Sequence, residues 1–418
     1  MDGGRTGARV KRTGGWPAAL PWTWCATRLA LLLLVFRVVS LPGADVTTDV
    51  SVIYQGWAEV LRQGSFPLND VTWQYPPAAA LAVLSPALLP FLGYAPAFFV
   101  LTCLADLAVS GLLAYAGRRP GRSSRGAWIW VAGLPLLGPT AYARYDLMVT
   151  AVAVAALLAG TRHPRVLGAL AAFGALLKVW PVLLLVGATR LRAWLSAAVT
   201  AGGGAALFAV TMPGAFAFLA FQRDRGTEVE SLGGLVLHVA RRFGWPGEVV
   251  LNYGSVEFLG PYAGLIGKAA VALSAGALCW LLLWRLRAVR FEPHTLADAA
   301  FTAVLLLTVT SRVLSPQYLV WLIGLAAVCG CFPASRTGRP AALVLAAALV
   351  TLLEFPVGFV HVIQSDAYGV ALLLLRNALL VTAALSAARA LWRSTVPTGA
   401  APVPVSPADP ARSRATGR

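Results

Sequence analysis

The chain has 418 residues, 58% hydrophobic and 12% charged, with a mean hydropathy of +0.72. Soluble domains carry about a quarter charged residues and under half apolar ones, so this composition excludes a soluble globular enzyme and a disordered chain. The formal net charge of +17, from 34 Lys+Arg against 17 Asp+Glu, would point to nucleic acid in a soluble protein, but in a membrane protein it points first to basic loops on the cytoplasmic side.

A spanning helix needs about 20 mostly apolar residues. Residues 1–21 form a basic tail with Arg5, Arg9, Lys11 and Arg12, and the first apolar run covers 22–41. That run also fits a secretory signal cleaved near Pro42-Gly43-Ala44; Arg37 inside it and the many later runs favour an uncleaved anchor. Further spans are expected near 95–117, 126–143, 146–160, 196–213, 261–284, 296–314, 318–333, 340–360 and 368–391. Two regions are irregular. Residues 76–92 are broken by Pro76, Pro77, Pro86 and Pro90, and 166–190 is one span or two half-spans meeting at Lys178-Val-Trp-Pro181. Residues 393–418 hold five prolines and few apolar side chains, a composition expected of a disordered cytoplasmic tail. The odd set Cys25, Cys103, Cys279, Cys329 and Cys331 lies in or beside apolar runs, without metal-ligand spacing.

The basic residues decide the topology. Clusters at Arg118, Arg119, Arg122 and Arg125, at Arg162 and Arg165, at Arg190 and Arg192, at Arg285, Arg287 and Arg290, and at Arg336 and Arg339, together with the two tails, hold 21 of the 34. All fall on the cytoplasmic side if 76–92 stays at the outer surface and 166–190 is a pair of half-spans. The expectation is an all-α polytopic protein in the cytoplasmic membrane, with about 12 crossings and both termini inside. A rival count, with 76–92 a full span and 166–190 a single one, puts the four-arginine loop outside against the bias. The preferred topology leaves loops 42–94 and 214–260 outside, bracketed within one membrane domain of residues 22–392. They hold Asp45, Asp49, Glu59, Asp70, Asp224, Glu228, Glu230, Glu248 and Glu257, acids that played no part in choosing it.

In the first external loop Val50, Ile53, Tyr54, Trp57 and Leu61 recur at helical spacing before Gly64, which predicts an amphipathic helix on the outer membrane surface. The loop also combines carboxylates with Tyr54, Trp57, Trp73 and Tyr75. Rings that pack on sugar C–H faces and acids that accept hydroxyls suit a carbohydrate. An interfacial aromatic belt with Asp49 as a helix cap fits the same residues. Four more polar spots reach the outer face: Arg144-Tyr-Asp146, Lys178, Arg223-Asp-Arg225 with Glu230, and Arg312 through Gln317 and Tyr318. Each alone fits a cap, a snorkelling side chain, a weak ion pair or an interface anchor. Their convergence with Asp49 on one side points to a site.

The ordered set D-V-x-V-I-Y-x-x-W-A from Asp49, Y-P-P from Tyr75, R-Y-D-L from Arg144, G-A-L-L-K-V-W-P ending at Pro181, R-D-R-G-x-x-x-E-S from Arg223, and R-V-L-S-P-Q-Y-L-V-W from Arg312 resembles glycosyltransferase family 87. These are polyprenyl-phosphate-mannose-dependent mannosyltransferases of the GT-C superfamily, and the likeness runs over roughly residues 22–390. The resemblance implies sugar transfer at the outer face from a lipid-linked sugar phosphate to a cell-envelope glycolipid or glycan. It also implies a general base at Asp49, with Asp45 the fallback. The chain departs from many relatives in carrying Arg144-Tyr-Asp146 where they have a Gly-Gln pair.

The chemistry of the residues agrees. An inverting displacement needs a carboxylate to take the acceptor proton, and cations where charge develops on the departing phosphate. Arg223, Arg225, Lys178 and Arg312 are the available cations, arginine suiting bidentate phosphate contact. Tyr54, Trp57, Tyr75, Asp146, Glu230, Gln317 and Tyr318 are the expected substrate contacts. No Gly-rich phosphate loop is present for a nucleotide sugar. No cofactor is expected: Asp49 with Asp146 offers a carboxylate pair for a divalent cation, but a monophosphate donor leaves little charge to neutralise. The competing class is a secondary transporter or lipid flippase, which predicts repeated halves and polar groups near the midplane; the sequence shows no repeat. A third reading is an envelope polymerase or ligase with another donor. No nucleic-acid partner is expected.

Overall fold

The computed structural model describes residues 19–397; the basic residues 1–18 and the Pro-rich stretch from 398 lie outside the described residues. Helix α1 (Ala19–Val35) leads into the first large loop. There a π-helical turn (Asp49–Tyr54) runs directly into α2 (Gln55–Arg62). The short α3 (Ala79–Leu84) tightens into a 3-10 turn over Ser85–Leu88, then α4 (Tyr94–Gly117) crosses the molecule. Next come α5 (Arg125–Gly133), a tighter stretch over Leu134–Ala141, α6 (Asp146–Gly160) and α7 (Pro164–Leu177). A 3-10 segment (Trp180–Leu185) returns the chain to α8 (Leu191–Thr211).

The second large loop is not all helical, which corrects the all-α expectation. Between α9 (Phe218–Asp224) and α11 (Ala263–Arg287) lie β1 (Thr227–Glu228), α10 (Leu232–Arg242), β2 (Glu248–Asn252) and β3 (Ser255–Leu259). The three strands form an antiparallel sheet in the order β1-β3-β2. Asn252 opposes Ser255, and the two turn residues Tyr253 (φ 48°) and Gly254 (φ 74°) both have positive φ, the backbone of a two-residue type I′ hairpin. The chain ends with α12 (Thr295–Thr310), α13 (Tyr318–Gly330), α14 (Gly338–Leu352), α15 (Phe359–Gln364) and α16 (Ala367–Thr395). Helices α1 and α16 run slightly past the expected domain edges at 22 and 392.

The expected apolar runs all become helices, but 12 crossings is not established. Among the described residues five helices are long and apolar enough to cross: α4, α8, α11, α14 with its continuation to Val357, and α16. The 13 to 17 residues of α1, α6, α7, α12 and α13 rise only about 20–26 Å at 1.5 Å per residue, short of the ~30 Å hydrocarbon thickness.

In the two irregular regions the chain breaks and turns instead of running on as one helix. Lys178 is extended (φ −159°, ψ 130°) and ends α7; Pro181 one turn on cannot supply the N–H needed to continue it. After this break the chain doubles back, and α8 packs along α7 so closely that a Cβ on Gly168 would lie 1.9 Å from the Ala193 carbonyl oxygen. Only glycine allows that approach. Lys178 therefore sits at the tip of a re-entrant pair. Residues 79–88 are too short to cross and stay at the tip's end of the molecule, where Ala78 N donates to Leu176 O (2.9 Å).

The basic loops gather at the opposite end. Ser123 N donates to Cys331 O (3.0 Å), Val289 N to Thr395 O (3.0 Å) and Ser196 Oγ to Arg165 O (2.9 Å). The core between the ends includes one buried ion pair, Arg28 with Asp106 (2.6 Å), whose carboxylate also accepts from Trp130 Nε1 (2.6 Å) and the Tyr142 hydroxyl (2.7 Å). Removing one partner of such a pair costs about 3–5 kcal/mol, so Asp106 is accounted for as a structural acid.

Candidate active site

The re-entrant tip presents Lys178 to a ring of aromatic side chains. Its ammonium lies 5.1–5.6 Å from the centroids of Tyr75, Tyr145, Tyr318 and Trp321, distances at which ring faces attract a cation. Asp146, the first residue of α6, accepts from Lys178 Nζ (2.6 Å) and Trp321 Nε1 (2.7 Å) through the same oxygen, Oδ1. Oδ2 is buried without a hydrogen bond. Asp146 is thus no helix cap; it fixes the lysine. Trp321 stacks between Tyr318 (4.1 Å) and Trp180 (5.2 Å).

Lys178, Tyr75, Gln317, Tyr318 and Arg225 line a cavity of about 610 Å³. Its polar end adds Gln74, Gln222 and Ser315, and the hairpin tip, Tyr253 and Gly254, forms part of the wall. Its other side is apolar, with Val179, Val182, Leu219 and Leu278 all more than 45% exposed on the molecular surface. Among the described residues no carboxylate lines the wall. Burial, with the Asp146 carboxylate adding, pushes the Tyr75 phenol up to about 12, so it enters the cavity as a protonated hydroxyl.

Arg225 is positioned by the sheet. It donates to Ser255 Oγ (2.8 Å) and lies 3.7 Å from Glu257, which also accepts from Gly226 N (3.0 Å). Glu228 on β1 holds the loop that carries Gln317: its carboxylate accepts from Ser315 Oγ (2.9 Å) and from Leu314 N, and burial raises it above the ordinary carboxylate range. Sequence reasoning placed Glu228 and Glu257 in the loop but gave them no role. The hairpin turn at Tyr253-Gly254 was the signal that a sheet orients them.

Asp49 stands outside the cavity wall. It opens the π-helical turn, and its Oδ2 is 2.6 Å from Arg144 Nη2. Arg144 is buried and also donates to the carbonyls of Val46 (3.2 Å) and Ala143 (2.8 Å). Asp49 makes no capping bond, is 35% exposed, and its Oδ1 has no hydrogen bond among the described residues. Between it and the cavity runs a chain of rings: Tyr54 to Tyr145 (6.0 Å) to Tyr75 (5.2 Å). Tyr54 and Trp57 are buried in this aromatic layer and Trp57 Nε1 donates to Asp70 (2.8 Å), so neither reaches the cavity. The apolar stripe of the π turn and α2 is turned into the protein, with Val50, Tyr54, Trp57 and Leu61 at most 5% exposed, instead of into the membrane surface.

Three further candidates lie away from the cavity wall. Glu230 pairs with Arg376 (3.2 Å), which also binds Glu354 (2.6 Å), and all three are buried. Arg312 spends its guanidinium on the carbonyls of Gln222 and Arg223 at the end of α9, and the Arg223 side chain is exposed. Trp321 and Tyr145 are residues that sequence reasoning missed although its motifs contained them, and Arg144, named there among the polar spots, was given no role. Among the described residues no group of three or more His, Cys, Asp or Glu is placed to hold a metal ion.

The sequence profile of glycosyltransferase family 87 matches residues 73–316. The match takes in Tyr75, Asp146, Lys178, Arg225 and Arg312 and begins after Asp49. Comparison with curated proteins gives no significant match. Among solved structures, ArnT from Cupriavidus metallidurans, crystallised with undecaprenyl phosphate, is similar at a TM-score of 0.44 and 17% identity, over 90% of this chain and 77% of that one. With more than half of its length matched by the family profile, the chain belongs to glycosyltransferase family 87 and is a multi-pass membrane glycosyltransferase.

Proposed function

We propose that this glycosyltransferase moves a hexose, mannose by its resemblance to family 87, from a polyprenyl-phosphate donor to a cell-envelope glycolipid or glycan at the extracytoplasmic face. The observation that carries the reading is the cavity itself. Among the described residues its polar end offers Lys178 and Arg225 and no carboxylate, which suits a phosphate; its apolar flank is exposed on the molecular surface, which suits a prenyl chain.

In this mechanism the phosphate and prenyl chain fill the cavity, the sugar extends past the Tyr75 ring toward Asp49, and the acceptor approaches over Asp49. Arg144 holds one oxygen of the Asp49 carboxylate, and the other takes the proton of the acceptor hydroxyl as that oxygen bonds to the sugar C1. The C1–O bond to phosphate breaks on the opposite side, inverting the centre, and polyprenyl phosphate leaves with its charge facing Lys178 and Arg225. A divalent cation is not required: Asp49 and Asp146 each already face a fixed cation at 2.6 Å.

The test is transfer of radiolabelled mannose from polyprenyl-phosphate mannose to a membrane glycolipid extract by the purified full-length protein. The expected result is labelled glycolipid, undiminished by EDTA, and a loss of about 10²–10⁴-fold in Asp49→Asn. Wild type that transfers label from no polyprenyl-linked sugar contradicts the donor class. Retained activity in Asp49→Asn removes the base assignment while leaving that class intact.

A further inference from the structure

A second notch lies toward the basic end of the molecule, away from the cavity and independent of the reaction proposed for it. Helices α11 and α16 meet near their C-terminal ends. Trp284 Nε1 donates to Thr395 Oγ1 (2.9 Å), and Val289 N and Arg290 N donate to Thr395 O (3.0 and 3.2 Å). Above this floor Trp280 and Trp392 face each other with ring centroids 6.1 Å apart, and with Ala388, Arg389 and Arg393 they line a notch of about 310 Å³. The small Ala388 side chain gives the notch its depth.

Among the described residues the two arginines differ from the buried ones in having no ion-pair or hydrogen-bond partner. Arg28, Arg144, Arg225 and Arg376 each face a carboxylate. Arg389 and Arg393 are exposed, and neither makes an ion pair or hydrogen bond among the described residues. They are four residues apart on one helix, so they share a face and their guanidiniums can converge on one anion. Tryptophan at this level of a membrane helix sits at the boundary of head groups and acyl chains. One turn before Arg389, Leu385 is 64% exposed and offers a surface for an acyl chain.

We propose that this notch binds the head group of an anionic glycerophospholipid of the surrounding bilayer. Paired arginines meet the phosphate, the tryptophans flank the glycerol, and the charge of the site complements the lipid. Basic pockets between membrane helices recognise anionic head groups in this way.

The experiment is native mass spectrometry of the full-length protein in detergent, titrated with dioleoyl phosphatidylglycerol or dioleoyl phosphatidylcholine. Wild type is expected to bind phosphatidylglycerol about tenfold more tightly. An Arg389→Gln/Arg393→Gln variant, altered only at exposed side chains, is expected to bind both lipids within about twofold of each other, while Arg162→Gln/Arg165→Gln keeps the preference. Absence of a preference in wild type, its survival in the Arg389/Arg393 variant, or its equal loss in the Arg162/Arg165 variant overturns the proposal. Displacement of the lipid by millimolar inorganic phosphate also overturns it, because it would mark a site for free anions.

Discussion

Lys178 is the most constrained charge at the site, enclosed by four rings and tied to Asp146. Its three N–H donors exceed the one carboxylate oxygen that it touches, so it can hold Asp146 and still donate to a phosphate. If the two act as a unit, their substitutions are not additive. Lys178→Gln and Asp146→Asn are each expected to raise the donor KM by tenfold or more, and the double variant to be little worse than either single one; independent, multiplicative losses in steady-state kinetics would contradict the pairing. Arg144 acts through Asp49 in a similar way. Loss of its anchor in Arg144→Gln is expected to lower kcat by about 10- to 100-fold, the scale of a 1 Å misplacement, with donor affinity unchanged and partial recovery in Arg144→Lys. The motifs made Lys178, Asp146 and Arg225 legible because charge is scarce in an apolar chain. They gave no means of telling which arginine faces a ligand and which holds backbone, as Arg312 does, or that Glu230 is consumed by Arg376. Those outcomes depend on partners more than 80 residues away.

At the scale of elements, helices were read from apolar runs, and the small sheet was missed because its strands are only two to five residues long. The sheet sets Arg225, Glu228 and Glu257, and α10 locks it in place through His238. This buried ring pairs with Val229 O (2.9 Å) and Ser365 Oγ (2.7 Å), and burial, helped by Arg241, lowers its pKa to about 4. Between pH 6.5 and about 4 the unfolded chain binds a proton that the folded unit does not, so His238 destabilises the unit as pH falls, by up to about 1.4 kcal/mol per pH unit, and contributes nothing above pH 6.5. Glu228 and Glu230 are both held above the ordinary carboxylate range by burial, so their linkage has the opposite sign. The His238 contribution is therefore the difference between wild type and His238→Asn in hydrogen-exchange protection of α10, corrected for intrinsic rates. That difference should grow as pH falls through this window; a constant difference would contradict it.

On the scale of the whole molecule, the net charge of +17 resolves into two populations. Basic loops meet at one end; the cavity, the sheet and the tip of the re-entrant pair occupy the other. The gathering of the basic loops at one end was legible because short loops and charges follow a physical rule, whereas the number of crossings was not, because several helices are shorter than the bilayer. A membrane-impermeant maleimide is expected to modify Ser123→Cys and Arg165→Cys from the cytoplasmic side and Asn69→Cys from the outside; modification of all three from one side would overturn the arrangement. The central claim is that the cavity at the outer end holds the phosphate of a lipid-linked sugar. It is tested most directly by an experimental structure of the protein with a polyprenyl-phosphate sugar bound. The account predicts the phosphate within hydrogen-bond distance of Lys178 and Arg225, with the prenyl chain leaving past Val179 and Val182. A phosphate bound elsewhere, with the cavity empty, would contradict it.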